Sequence, residues 1–351
     1  MPAILYFMFY ASLGLGTSLT FLSSHWLTAW MGLELTTLAI LPLMAQHHHP
    51  RASEATTKYL LVQASATGLL LFATILNGWV EMSWSINEMK NPYALTLAMS
   101  ALALKLGLAP FHLWLPEVMQ GLDLLTGLIL STWQKLAPFA LLMQISQAMP
   151  PTLLTILGLS SATLAAWGGL NQTQLRKIMA YSSTAHLGWS VIIIQFSPGL
   201  ALMALGIYIL MTMAAFLTMK DMSSTKISTF STSWSKSPEK MVAMILILLS
   251  LGGLPPMTGF TIKWLILEEL TKQDMYTPAT LIVMAALISL YFYARLSYFT
   301  IISLFPGTSN IKTYWRQKNI KDKLILPIAT TAAIFLLPLM PLTLALTYFY
   351  N

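Results

Sequence analysis

The chain has 351 residues, of which 56% are hydrophobic and 9% charged, and its mean hydropathy is +0.68. An ordinary soluble domain carries about 25% charged residues, so the composition excludes a water-soluble globule and indicates a protein whose main solvent is lipid. The absence of cysteine excludes thiolate metal sites, iron–sulfur clusters and thiol nucleophiles. The net charge of +7 does not indicate nucleic-acid binding, because the basic residues are divided among membrane loops.

Apolar stretches of membrane length predict about eleven transmembrane helices in an all-α protein. In the first half of the chain they cover residues 3–22, 25–45, 53–78, 92–120 and 123–146. The remainder cover residues 152–170, 176–196, 200–219, 240–270, 278–304 and 324–349. The first stretch lacks a basic flank and is long enough to span, so we expect a mature helix and not a cleaved signal.

The loop charges predict the orientation in the membrane. One set of loops carries most of the basic residues: Arg51, Lys58, Arg176, Lys177, Lys220, Lys226, Lys236, Lys240, Lys312, Arg316, Lys318, Lys321 and Lys323. The other set carries Lys90 and Lys272 among Glu81, Glu88, Glu268, Glu269 and Asp274. By the positive-inside rule, the N-terminus lies on the positive side and, after eleven crossings, the C-terminus lies on the opposite side.

Two predicted spans are interrupted by glycine and proline. The interruptions lie at residues 105–112 and 252–259, and each is close to a lysine. They are five helices apart, and a unit with an odd number of helices reverses its direction when it is repeated. We therefore expect two inverted five-helix repeats, residues 1–150 and 151–305, followed by a basic loop and a last helix in residues 306–351. Matched interruptions of this kind point to an ion pathway.

Five charged residues fall inside predicted spans: Glu34, Lys105, Lys135, Lys263 and Arg295. A lysine held charged at the bilayer centre costs about 2.5 to 3.5 kcal/mol, so we expect the lysines to be paired, hydrated or neutral part of the time. Lysine, unlike arginine, gives up its proton readily when it is desolvated, which makes the three lysines candidate proton carriers. Arg295 has a structural alternative, because its long side chain can reach a loop.

Glu34 is the acidic residue at mid-depth and the natural partner of Lys105. His112, after the first interruption, and His186, in mid-span, can pass protons near neutral pH, although each could equally be a hydrogen-bonded core histidine. Two other motifs are weak. The glycosylation pattern at residues 171–173 lies in a very short loop, and the adjacent histidines 47–49 have no second cluster with which to hold a metal.

Three segments resemble a known family. They are residues 30–35 around Glu34, residues 105–118, and residues 252–256 together with Lys263. All three closely resemble chain 2 of the NADH-ubiquinone oxidoreductases, the antiporter-like membrane subunits of respiratory complex I, and the similarity extends over essentially the whole chain. The resemblance implies two inverted five-helix repeats and one further helix, in the shortened animal form that lacks three N-terminal helices.

The resemblance also implies roles for the buried groups. Glu34 and Lys105 correspond to a coupled pair, Lys135 to a central relay, and Lys263 to the terminal proton donor towards the intermembrane space. His112 and His186 correspond to connecting groups. Protons would then move from the matrix to the intermembrane space, driven by electron transfer from NADH to ubiquinone elsewhere in the complex.

The implied location is the mitochondrial inner membrane, with the N-terminus in the matrix. The implied partners are other membrane-arm subunits, including neighbouring antiporter-like ones, and lipids, with cardiolipin at the basic matrix loops. NADH, FMN, iron–sulfur clusters and ubiquinone would bind to other subunits. This chain has no dinucleotide fingerprint, phosphate loop or haem pattern, so we expect it to bind no cofactor, no metal and no nucleic acid.

Two alternatives remain from the sequence. A stand-alone cation/proton antiporter of related fold would favour more intramembrane carboxylates than the single Glu34. A scaffold that does not pump would leave the three buried lysines without an explanation.

Overall fold

The structure, a computed structural model, describes residues 3–46, 49–235, 237–302 and 325–336. Regular structure in these residues is helical, apart from two isolated β-bridges between loops. Predicted features outside them are His47, His48, Lys236, the basic residues 312–323 and most of the last predicted span. The chain divides into two compact units, Met1–Ser161 and Ala162–Asn351.

The helices are numbered in chain order. In the first part of the chain they are α1 (Ala3–Leu22), α2 (Trp26–Met44), α3 (Pro50–Glu81), α4 (Pro92–Leu106), α5 (Trp114–Gly121), α6 (Leu124–Ser131), α7 (Trp133–Ser146) and α8 (Pro151–Gly169). In the second they are α9 (Leu175–Ile193), α10 (Pro198–Asp221), α11 (Ile227–Ser231), α12 (Pro238–Gly252), α13 (Thr258–Lys272), α14 (Tyr276–Ile302) and α15 (Ile325–Phe335).

Among the described residues, six helices are long and apolar enough to cross a membrane: α1, α2, α3, α8, α10 and α14. Large apolar side chains also cover their outer surfaces, as Phe7, Trp79 and Trp167 are each more than 70% exposed. A soluble protein would not present such a surface to water. The prediction of an all-α protein embedded in a membrane is therefore confirmed, while the count of eleven spans stays a prediction.

Two of the apolar helices stop in mid-course with the same backbone motif. α4 is followed by Gly107 at φ +74° and α12 by Gly253 at φ +81°. In each case the amide of the glycine and that of the next residue donate to carbonyls of the last helical turn, an arrangement that satisfies part of an open helix end. A cis peptide bond to proline follows each time, at Ala109–Pro110 and Pro255–Pro256, before α5 and α13 begin.

A third interruption was not predicted. The fifth apolar stretch divides at Thr132 into α6 and α7. The hydroxyls of Ser131 and Thr132 both donate to the carbonyl of Leu128, at 3.0 and 2.7 Å. Hydroxyl groups bound to the preceding turn bend helices, so two adjacent ones account for a break that neither glycine nor proline announces.

Helix packing fixes the position of the buried groups within each unit. In the first unit α1 and α2 cross closely, and α7 packs against α1, α2 and α4. In the second unit α10 packs against α9, α12, α13 and α15. The hydroxyl of Thr258, the first residue of α13, donates to the carbonyl of Ala333 in α15. Both lysines beside the helix breaks are therefore held between several helices.

Candidate functional site

The first unit places two lysines in the wall of one cavity. Lys105 lies in the last turn of α4 and is 7% exposed, and Lys135 lies in the first turn of α7 and is 2% exposed. About 10 Å³ of this space admits the centre of a water-sized sphere, which is roughly the room that one water molecule needs. The other polar groups of the wall are Thr36, Thr37, Tyr59, Gln63, Trp114 and Gln134.

Hydrogen bonds between helices hold this cavity in shape. The amide of Gln134 on α7 donates to the carbonyl of Thr36 on α2 at 3.1 Å. The indole of Trp114 on α5 donates to the carbonyl of Leu104 on α4, also at 3.1 Å. The second bond joins the two half-helices across the first break, at a carbonyl that also accepts from the amide of Gly107.

Glu34 is half-buried on α2, outside the lining of the cavity. Its carboxylate interacts electrostatically with Lys105 and with Tyr59, but no direct salt bridge joins Glu34 to a lysine in the described part of the chain. Its Oε2 atom is buried without a hydrogen-bond partner. A buried carboxylate oxygen of this kind is a place where a bound water molecule is favoured.

His112 lies in the break between α4 and α5. Its side chain is 7% exposed and hydrogen-bonds to the backbone of Pro110. It does not line the lysine cavity. The structure therefore keeps His112 next to the first break, at the end of the half-helix that carries Lys105.

The second unit brings Lys263 and His186 together at another cavity. The two side chains line a space of the same small size, with Trp189, Ala204, Met211, Gly259 and Ile262. The Lys263 ammonium donates to the carbonyl of Gly252 at 2.8 Å, across the second break. It also lies 5.9 Å from the centroid of the Trp189 ring, which is within the range of cation–π attraction.

His186 is held by α10. Its ring lies against the ring of Tyr208, with centroids 5.6 Å apart, and the Tyr208 hydroxyl hydrogen-bonds to Ser183 and Thr212. Trp189 and Tyr208 were not among the site residues predicted from the sequence. Ser183, His186 and Trp189 are spaced three residues apart on α9 and so share a face. That spacing is a sequence signal for Trp189. No sequence pattern distinguishes Tyr208 from the other residues of α10.

Arg295 has a different surrounding from the lysines. Its guanidinium donates to the carbonyl of Leu170 at 2.6 Å, just after the end of α8, and lies 5.7 Å from the Phe299 ring. A cation at the C-terminus of a helix satisfies open carbonyls and the negative end of the helix dipole. This contact supports the structural alternative for Arg295.

The histidines near the start of α3 have a local role where they are described. The Nδ1 atom of His49 accepts a hydrogen bond from the amide of Arg51 at 3.2 Å and caps α3. Within the described ranges, no group of three or more metal-binding side chains was found.

Comparisons with protein families give two matches that together cover most of the chain. Residues 23–289 match the family described as NADH:quinone oxidoreductase/Mrp antiporter, transmembrane. Residues 290–344 match the family described as NADH dehydrogenase subunit 2 C-terminus.

Solved structures share the fold at low sequence identity. A chain of respiratory complex I from Thermus thermophilus matches with a TM-score of 0.82 and 24% identity, covering 97% of this chain and 79% of that chain. A chain of an archaeal respiratory membrane complex, the membrane-bound sulfane sulfur reductase, matches with a TM-score of 0.79 and 17% identity, covering 98% of this chain and 75% of that chain. A chain of the Mrp complex from Dietzia matches with a TM-score of 0.72 and 16% identity, covering 84% of this chain and 60% of that chain.

Curated relatives are much closer in sequence. Proteins named NADH-ubiquinone oxidoreductase chain 2 from Cyprinus carpio and Danio rerio are 62% and 58% identical to the chain, over 96% of its length and 97% of theirs. Identity at this level extends over almost the whole of the chain. The chain belongs to the NADH-ubiquinone oxidoreductase chain 2 family.

Proposed function

We propose that the chain is a proton-translocating subunit of the membrane arm of complex I, and that Glu34, Lys105, Lys135, Lys263, His112 and His186 carry the proton. The observation that supports this most directly is the pair of lysines, Lys105 and Lys135, in the wall of one water-sized cavity. Intramembrane lysine is costly, and packing alone gives no reason to keep two of them at one cavity. The family of the chain supplies the driving reaction, electron transfer from NADH to ubiquinone.

The proposed path begins at the Glu34 and Lys105 pair, continues through Lys135, and ends at Lys263. Glu34 acts by electrostatics: when its charge is near Lys105, the protonated lysine is favoured, and when the charge is withdrawn, the proton moves on. Room for a water molecule beside Lys105 and Lys135, and again beside His186 and Lys263, provides hydrogen-bonded steps between groups that do not touch.

The finer layout belongs to the same proposal. We infer eleven spans arranged as two inverted five-helix repeats and one more helix, in the mitochondrial inner membrane, with the N-terminus in the matrix and the C-terminus in the intermembrane space. Neighbouring antiporter-like subunits flank the chain, and cardiolipin binds at the basic matrix loops. NADH, FMN, iron–sulfur clusters and ubiquinone act in other subunits, while this chain contributes proton transfer without a redox centre.

The replacement Lys135→Met tests the proposal in the assembled complex, reconstituted in vesicles. Methionine keeps the length and apolar stem of lysine but cannot carry a proton, so we expect NADH-driven proton uptake to fall at least about tenfold, as is usual when a proton-transfer group is removed. The matched control is Lys90→Met, because Lys90 is an exposed loop residue and should pump normally. Normal pumping by an assembled Lys135→Met complex would refute the role of Lys135.

The antiporter alternative is weaker. The similarity to a chain of the Mrp complex is a likeness of fold at 16% identity, and Glu34 is the acidic residue predicted at mid-depth. The close relatives all bear the name of a subunit of an oxidoreductase. A cation exchanger would be recognised by sodium-dependent proton flux in the absence of NADH, which we do not expect.

A further inference from the structure

The two helix breaks differ in the side chain that hydrogen-bonds to the backbone there. At the first break the carbonyl of Leu104 accepts from the Trp114 indole, a neutral donor that never titrates. At the second break the carbonyl of Gly252 accepts from Lys263, a donor whose charge can change. The two breaks share their backbone motif, but the two carbonyls occupy different places in it. Leu104 lies three residues before Gly107 and also accepts from its amide, whereas Gly252 directly precedes Gly253.

Three features surround the Lys263 ammonium. The Gly252 carbonyl belongs to the open C-terminal end of α12, which carries partial negative charge. The Trp189 ring lies on another side, and Trp189 is 5% exposed. At Gly253 a methyl group would stand 2.9 Å from the lysine Nζ atom, so only a residue without a side chain leaves room for the ammonium. The carbonyl and the ring attract the cation more strongly than the neutral amine, and Gly253 leaves the space that the lysine needs.

We propose that Trp189, the Gly252 carbonyl and Gly253 form a cradle for the charged form of Lys263, with Trp189 as a positioning residue for the terminal proton donor. The inference rests on the proposed function and adds to it a neutral residue and a site. In the cradle the proton-bearing lysine is held at the break. Once the proton leaves, the cation–π attraction is lost and the bond to the carbonyl weakens, because a neutral amine is a poorer donor. The amine then turns towards the cavity that it shares with His186.

The helices packed around the cradle carry few titratable groups near Lys263. α9 contributes His186 and α10 contributes Tyr208, which lies against it. α14 contributes Tyr293, beside Gly252. α12 carries Glu239 and Lys240 in its first turn, remote from its C-terminal end, and the described part of α15 carries no charged residue. No carboxylate forms a salt bridge with Lys263 among the described residues, so the ring and the carbonyl are its recorded partners.

The test compares Trp189→Met and Trp189→Phe in the assembled complex. Methionine fills irregular space but has no ring, so we expect coupled proton uptake to fall about three- to tenfold, the loss that corresponds to one buried cation–π contact. Phenylalanine keeps a ring face and should restore at least half of the wild-type rate. The matched control is Trp264→Met, one residue from Lys263 but 60% exposed, which should leave uptake unchanged.

A double variant separates positioning from structure. If Trp189 acts through Lys263, Trp189→Met should cause no further loss in a Lys263→Met background. The cradle is overturned if Trp189→Met lowers proton uptake equally with and without Lys263, or if it does not lower uptake when Lys263 is present. In either case the uptake of Lys263→Met still tests the proposed path separately. Full pumping by Lys263→Met overturns the Lys263 exit and the cradle with it. If Trp189→Met does not assemble, Trp189→Phe must lower uptake about twofold, and only when Lys263 is present.

Discussion

Single glycines decide whether the broken helices can end where they do. Gly107 and Gly253 both have positive φ, a conformation that costs other residues about 1 to 2 kcal/mol. Gly253 has a second constraint, because the space beside it is filled by Lys263. The backbone of the break and the position of a proposed proton carrier therefore depend on the same residue.

We expect Gly253→Ala to lower the amount of assembled complex and to reduce the pumping of what remains. The left-handed backbone alone costs about 1 to 2 kcal/mol, and the methyl group displaces the ammonium from the Gly252 carbonyl. Gly206→Ala is the control, because Gly206 lies inside α10 with nothing within 4 Å in this chain, and alanine favours a helix there. Quantification of the complex in native gels and the proton uptake per NADH would check both. If Gly253→Ala assembled and pumped like the wild type, neither the positive φ nor the space beside Lys263 would require glycine.

The charged residues of the site were predictable from sequence and their neutral companions were not. A charge in an apolar span is conspicuous because it is expensive, so Lys105, Lys135 and Lys263 could be selected without a structure. Trp189 and Tyr208 are ordinary residues of a membrane helix. Periodicity places Trp189 on the same face of α9 as His186. The contact of Trp189 with Lys263, and that of Tyr208 with His186, depend on which helices pack together.

At the level of elements, α1 and α2 depend on close approach of their backbones. A methyl group on Gly16 would stand 2.6 Å from Cγ2 of Thr36 and 2.8 Å from the carbonyl oxygen of Gly32, and one on Gly32 would meet Thr20 and Gly16 in the same way. Small residues four apart on each helix, Gly16 with Thr20 and Gly32 with Thr36, form this crossing. In lipid, helices associate through such packing because burial of apolar surface gives no advantage there.

Gly16→Ala should therefore destabilise the first unit. A methyl group that cannot be accommodated costs about 1 to 3 kcal/mol, because α1 must move away from α2. Gly14→Ala, two residues earlier in α1, meets nothing within 4 Å in this chain and should be neutral. Thermal inactivation of the complex measures the difference. Equal midpoints for the two variants would show that the crossing tolerates a wider separation.

The extents of the long apolar helices were also predictable, but the short helix α11 and the division at Thr132 were not. Apolar length gave the boundaries of α1, α2, α8 and α14 to within about three residues, the usual uncertainty of such boundaries. The division at Thr132 was missed because it depends on two hydroxyls bonding to one carbonyl. Serine and threonine are common in membrane helices without causing a break, so their presence alone carries little information.

At the level of the whole molecule, each unit has a helix broken at a glycine and a small cavity lined by lysine within the part of the chain that the structure describes. The first cavity pairs Lys105 with Lys135, and the second pairs Lys263 with His186. The units are thus alike in plan and different in chemistry, since two lysines occupy one cavity and a lysine and a histidine the other. Under the proposed function, the first unit takes up and exchanges protons and the second releases them.

The proposed inverted repeats predict which loops share an aqueous phase. The chain has no cysteine, so one introduced cysteine is the only thiol it carries. Ser53 and Ser228 are exposed near basic loops, and Asn87 and Gln273 near acidic ones. By the positive-inside rule, Ser53→Cys and Ser228→Cys should react with an impermeant maleimide only from the matrix, and Asn87→Cys and Gln273→Cys only from the intermembrane space. Mass spectrometry of the chain from intact mitoplasts and from inverted vesicles would read out the labelled side. Labelling of Ser53→Cys and Ser228→Cys from opposite sides would require an odd number of crossings between them and would overturn the repeat arrangement.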